Sequence, residues 1–135
     1  MTRLEFYSNR FLPYLPESCQ VNPGAYGFEL ALWLSNALIQ VGIVTSYPMS
    51  EDWGWFIEYS EGDAEFMIGC GCEANEGEGY QGHPLLWSVF VQQSLSVKQR
   101  LRGQTAPTIA AKLTQAIVAV LQADGIAVQV EEPRL

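Results

Sequence analysis

The chain has 135 residues, 48% of them hydrophobic and 16% charged, enough for a core that needs no disulfide or metal and too apolar for a disordered chain. Its formal net charge of −8 opposes nucleic acid, phosphorylated substrates and anionic membranes. No apolar run reaches the roughly 20 residues of a membrane span, and MTRLEFYSNRFLPYLPES lacks the apolar centre of a secretory signal, so a single cytoplasmic domain over 1–135 is expected.

In chain order, LEFYS (4–8) alternates as a short strand, and FLPYLPESCQVNPGA, with three prolines, reads as an extended connection. A first helix is expected from about Tyr26 to Val41, stopped by Gly42. Its apolar residues occupy more than half of its circumference, and its narrow polar stripe is Glu29, Asn36 and Gln40, with Trp33 among them. IVTSYPMS is expected as a strand ending near Pro48. In WGWFIEYS the alternation puts Trp53, Trp55, Ile57 and Tyr59 on one face and Phe56 and Glu58 on the other. EGD (61–63) is a hairpin turn into AEFMIGCGC, where Phe66, Ile68, Cys70 and Cys72 share a face.

EANEGEGYQGHP (73–84) is a Gly-rich acidic loop, and LLWSVFVQQ the next strand. SVKQRLRGQ fits either a strand extension or a short helix. A second long helix follows from about Ala106 to Ala123, with Thr105 as a possible cap and Gly125 as its stop, then IAVQVEE as a last strand. Hairpin succession with two helices predicts an α+β fold: an antiparallel sheet of about 5–6 strands with both helices on one face, a two-layer sandwich.

The charge is unevenly spread. From 11 to 97 there is no Lys or Arg, while Glu17, Glu29, Glu51, Asp52, Glu58, Glu61, Asp63, Glu65, Glu73, Glu76 and Glu78 all fall there. Such a field attracts basic partners. The leading expectation is a non-enzymatic acidic binding protein, immunity- or inhibitor-like, that engages a basic protein through Trp33, Glu51, Asp52, Glu58 and Glu76. No cofactor is expected. Trp33 would be an exposed anchor, unless Phe11, Tyr14 or Leu15 folds over it.

Two alternatives carry chemistry. Glu51 and Asp52 with His83, the only histidine, would form an acid–base site in a cleft walled by Trp53 and Trp55. Against it, neighbouring residues entering a strand point to opposite sides; EDWGW also reads as a turn entering a core strand, with Gly54 leaving room for close approach. Cys70, Cys72 and His83, completed by Cys19 or an acid from 73–78, would make a zinc site. The same cysteines simply continue the apolar face of Phe66 and Ile68, and their C-x-C spacing is not a zinc knuckle. Three cysteines with Cys70 and Cys72 so close suggest reduced thiols. GCGCEA matches a dinucleotide fingerprint only nominally, because no helical period follows it. EGDAE lacks calcium-loop spacing.

GFELALWLSNALIQVGI, EDWGWFIEY and the GCGC strand together resemble small uncharacterised bacterial α+β proteins with an EDWGW-type motif. The resemblance covers about residues 11 to 90; it implies one α+β domain and brings no known activity and no site residue. A monomer is expected, with the Pro-rich segment 11–24 covering surplus apolar surface on the first helix; the alternative is a homodimer through that helix, including Trp33.

Overall fold

In the first strand, β1 (Thr2–Ser8), Leu4 and Phe6 are buried while Arg3 and Tyr7 face outward, the alternation a half-buried strand requires. The computed structural model describes residues 1–11, 13, 17–20, 25–73 and 84–131. After β1 come a 3-10 turn (Glu17–Cys19), β2 (Ala25–Tyr26) and α1 (Phe28–Gln40). Then follow β3 (Met49–Glu51), β4 (Gly54–Glu61), β5 (Ala64–Glu73), β6 (Leu85–Ser94), α2 (Val97–Leu101), α3 (Pro107–Ala123) and β7 (Gln129–Glu131).

The strands form one antiparallel sheet in the order β3-β4-β5-β6-β1-β7, with β2 paired to β5. Both long helices pack on one face, so the fold is α+β as the hairpin pattern implied. Leu30, Ala31, Leu34 and Leu38 of α1 and Leu113, Ile117 and Leu121 of α3 are buried against Leu4, Ile57, Phe66, Ile68, Cys70, Trp87 and Val89 of the sheet. The spacing of three and four residues on each helix places these side chains on one stripe. Among the described residues, no helix is long and apolar enough to cross a membrane.

The two long helices stop in the same way. Gly42 and Gly125 adopt φ of 86° and 81°, and the next residues, Ile43 and Ile126, donate their N–H back to the carbonyls of Leu38 and Leu121 at 2.9 and 3.1 Å. This is the Schellman arrangement, with the buried isoleucine packing under the last turn. At the start of α3 the expected Thr105 cap is not used. Ala106 is the cap residue, and its N–H donates to Oε1 of Gln93 at 2.8 Å.

Two expectations need correction and one open alternative is decided. Residues 43–48 are not a strand; the strand is Met49–Glu51, just beyond Pro48. Pro48 has no N–H for a ladder, and Ser46 serves the edge of β4 instead. Its N–H donates to the Glu58 carbonyl, and its Oγ accepts from the Glu58 N–H, both at 2.9 Å. The ambiguous SVKQRLRGQ is helical at 97–101, fixed by a reciprocal box between Ser96 and Gln99. Glu29 is not in a solvated stripe but buried in the first turn of α1, where the positive end of the helix dipole favours a carboxylate.

Among the described residues, two ion pairs fasten the helical layer. Arg10 meets Asp124 at 2.8 Å, and Lys112 on α3 donates to Glu61 Oε1 at 2.6 Å. The same oxygen accepts from the Tyr59 hydroxyl at 2.6 Å. Lys112, and after it Tyr59, holds the Glu61 carboxyl below the usual carboxylate range.

Candidate functional site

EDWGW is a tight hairpin. Glu51 pairs with Gly54 across β3 and β4, leaving Asp52 and Trp53 as the two turn residues. Gly54 has φ 156°, and a Cβ there would lie 2.7 Å from the backbone carbonyl of Cys70; no other residue fits without moving β5. The strand period therefore begins at Gly54, after Trp53. Trp55 turns inward, its ring 5.1 Å from Phe28. Trp53 lies against the opposite face, its ring 5.0 Å from Phe90. The expectation that Trp53 and Trp55 share a face is thus corrected, and they do not form two walls of one cleft.

The GCGC segment gains a physical explanation from this division. Cys70 and Cys72 point into the core beside Ile68, where small apolar side chains fit under the helices. Gly69 and Gly71 point outward. A Cβ on Gly69 would run into the Phe90 ring, and one on Gly71 would lie 3.3 Å from the Trp53 carbonyl oxygen and 4.0 Å from its ring. The glycines are the floor on which two aromatic rings rest.

That outer face carries a hollow of about 720 Å³, whose walls include Trp53, Phe90 and Leu86 and whose floor includes Gly71 and Ser88. Arg3, Glu5 and Gln92 supply its polar side. A second hollow, of about 630 Å³, shares Glu5 and Leu86 and continues past Tyr7 to the start of β7. No described element covers either. Trp53 is 40% exposed, Leu86 39% and Tyr7 71%, a connected set of large apolar groups of the kind that marks interaction surfaces.

The register gives the charge of the same face. Glu5, Glu51, Glu58, Glu65 and Glu131 stand on it, as cross-strand neighbours of Ser88, Gly54, Met67, Ser94 and Arg3. Arg3 is the one cationic side chain that these strands turn outward among the described residues.

The residues expected from sequence are distributed unevenly. Glu51, Asp52 and Glu58 are exposed at or beside the outer face. Trp33 is in the helical layer, half-buried, with Phe11 5.3 Å from it in an edge contact. Phe11 in turn meets Trp87 and Phe6, so Phe11 packs over Trp33; Ile39 on α1 and Val41 just after it remain exposed. Trp33 and Glu58 lie on opposite sides of the sheet. Glu76 and His83, with the rest of 74–83, lie outside the described residues.

Of the cysteines, Cys19 is exposed, Cys70 and Cys72 are buried, and none is in a disulfide. Burial pushes the Cys70 thiol well above its ordinary value, which disfavours the thiolate that zinc needs. Among the described residues, no group of three or more His, Cys, Asp or Glu side chains is gathered to hold a metal ion.

Sequence reading missed Glu5, Ser88 and Phe90. A signal was present: in LLWSVFVQQ the outward positions include Leu86 and Phe90, which a solvated strand face would not favour. No family model matches the chain, and neither the curated proteins nor the solved structures give a match.

Proposed function

We propose that this protein is a non-enzymatic binding protein that holds a basic protein partner against the outer face of its sheet, in the manner of an immunity or inhibitor protein. The observation that carries this reading is the hollow walled by Trp53 and Phe90 within a face whose acids, among the described residues, outnumber its one outward cation. The aromatic groups supply contact area that is desolvated on docking, which is where interface energy concentrates. Glu51, Glu58 and Glu65 at the rim attract a basic partner over distance and select against acidic ones. Nothing has to be removed from this face among the described residues before a partner docks. The protein acts as a monomer in this reading, because Phe11 already covers Trp33.

The test is capture of the partner from the native host followed by measured affinity. The reading expects weakening as salt rises and a loss of about tenfold or more for Trp53→Ala, as for an interface anchor. Leu101→Ala, on α2 and exposed, should leave affinity unchanged. A captured partner whose affinity ignores both salt and Trp53→Ala overturns the proposal.

A further inference from the structure

We propose that the hollow between Glu5 and Trp53 is a receptor for an arginine side chain of the partner; this rests on the docking role of the outer face. Glu5 is paired with Ser88, and Ser88 with Gly71, against which Trp53 rests. Neighbouring strands are about 4.8 Å apart, so Glu5 and Gly71 are separated by about 10 Å. Between them the floor carries only a hydroxymethyl group and a hydrogen. The result is a slot with a carboxylate at one end and an indole at the other.

A group suited to that slot is a planar cation on a slender apolar stem. Guanidinium stacks on an indole face and also donates two parallel hydrogen bonds to a carboxylate. An ammonium, a compact and strongly hydrated charge, does one of these things less well. Glu5 is available for the purpose. Its cross-strand neighbours are Ser88 and Gln129, neither of them cationic, and Arg3, two residues along β1 on the same face, makes no ion pair with it. Among the described residues the Glu5 side chain makes no ion pair. Arg3 also borders the slot, beside Phe90; its like charge opposes the incoming cation, so the attraction rests on Glu5 and the indole.

The experiment is a titration of the full chain with N-acetyl-argininamide, read by NMR at the Trp53 indole N–H and the Gly71 amide. N-acetyl-lysinamide and N-acetyl-norleucinamide serve as matched probes. Saturable shifts at both signals are expected for the arginine probe, with affinity at least about threefold above that of the lysine probe. Glu5→Gln should weaken binding, and Ser88→Trp, which fills the slot from its floor, should abolish it. Equal shifts with lysine or norleucine, or none with arginine, overturn the assignment. If the arginine probe fails while the partner still binds in a salt- and Trp53-dependent way, the docking reading stands and the arginine slot falls. If the probe binds with the stated preference while partner affinity ignores Trp53, the slot stands as a guanidinium site and the docking reading falls.

Discussion

The two faces of the sheet are made from the same strands, yet they solve different problems. On the inner face, Ile57, Ile68, Val89 and Leu4 are fully buried under α1 and α3. On the outer face the neighbours of those residues are Phe56, Gly69, Phe90 and Glu5, and the Phe90 ring lies over Gly69. β5 shows the contrast within four residues, because its two cysteines fill the core and its two glycines leave space above the sheet. Hydrophobic side chains under helices explain folding. In the proposed reading, the aromatic rings left half-open beside carboxylates on the outer face are the part that serves a partner.

The contrast can be broken by substitution, and the largest effect belongs to the inner face. Ile68→Ala removes a fully buried side chain of the core, from a strand paired on both sides. It should cost about 2–5 kcal/mol in denaturant unfolding while leaving the slope of the transition unchanged. Gly54→Ala should rank next. It places a Cβ against the Cys70 carbonyl at a backbone angle that side chains avoid, and a loss of about 1–3 kcal/mol is expected. Both changes act on stability.

Trp53→Ala should behave in the opposite sense. Its stability cost should be about 1 kcal/mol or less, while partner affinity falls by about tenfold or more. A stability loss as large as that of Ile68→Ala would place Trp53 among the structural residues. Thiol labelling sharpens the same division kinetically: Cys19 should react in the folded protein, and Cys70 only after unfolding, given its burial and raised thiol.

The smallest effect concerns pH. Glu61 has a lowered carboxyl in the folded state, chiefly through Lys112, so its contribution is present above its unfolded value and is lost as pH falls through its folded one. Urea midpoints measured from about pH 6 down to about pH 2.5 should therefore fall slightly less for Glu61→Gln than for the parent chain. Both partners are solvent-exposed, which keeps the difference small. An identical slope in both proteins would mean that this ion pair does not stabilise the fold.

Much of the architecture was legible because it depends on local signals. Gly42 and Gly125 announce the ends of the long helices, the 3.6-residue period gives their buried stripes, and alternation in AEFMIGCGC separates Cys70 from Gly71. What was not legible depends on turn placement and long-range pairing. Whether Trp53 shares a face with Trp55 is decided by where the strand period starts, and that is fixed by Gly54 against Cys70, 16 residues away in the chain. The slot likewise joins Glu5, Ser88 and Gly71 through pairings of β1, β6 and β5, which no local pattern reveals. Trp33 stood out in sequence because a helical wheel cannot show that Phe11 returns to cover it.

The most direct test of the outer face as the docking surface is hydroxyl-radical footprinting of the chain alone and in complex with its captured partner. Trp53 and Leu86 are open on the outer face, whereas Ile39 on α1 and Leu101 on α2 are open elsewhere. The account predicts that Trp53 and Leu86 lose reactivity on binding while Ile39 and Leu101 keep theirs. Protection of Ile39 with Trp53 still reactive would contradict it and put the partner on the helical side.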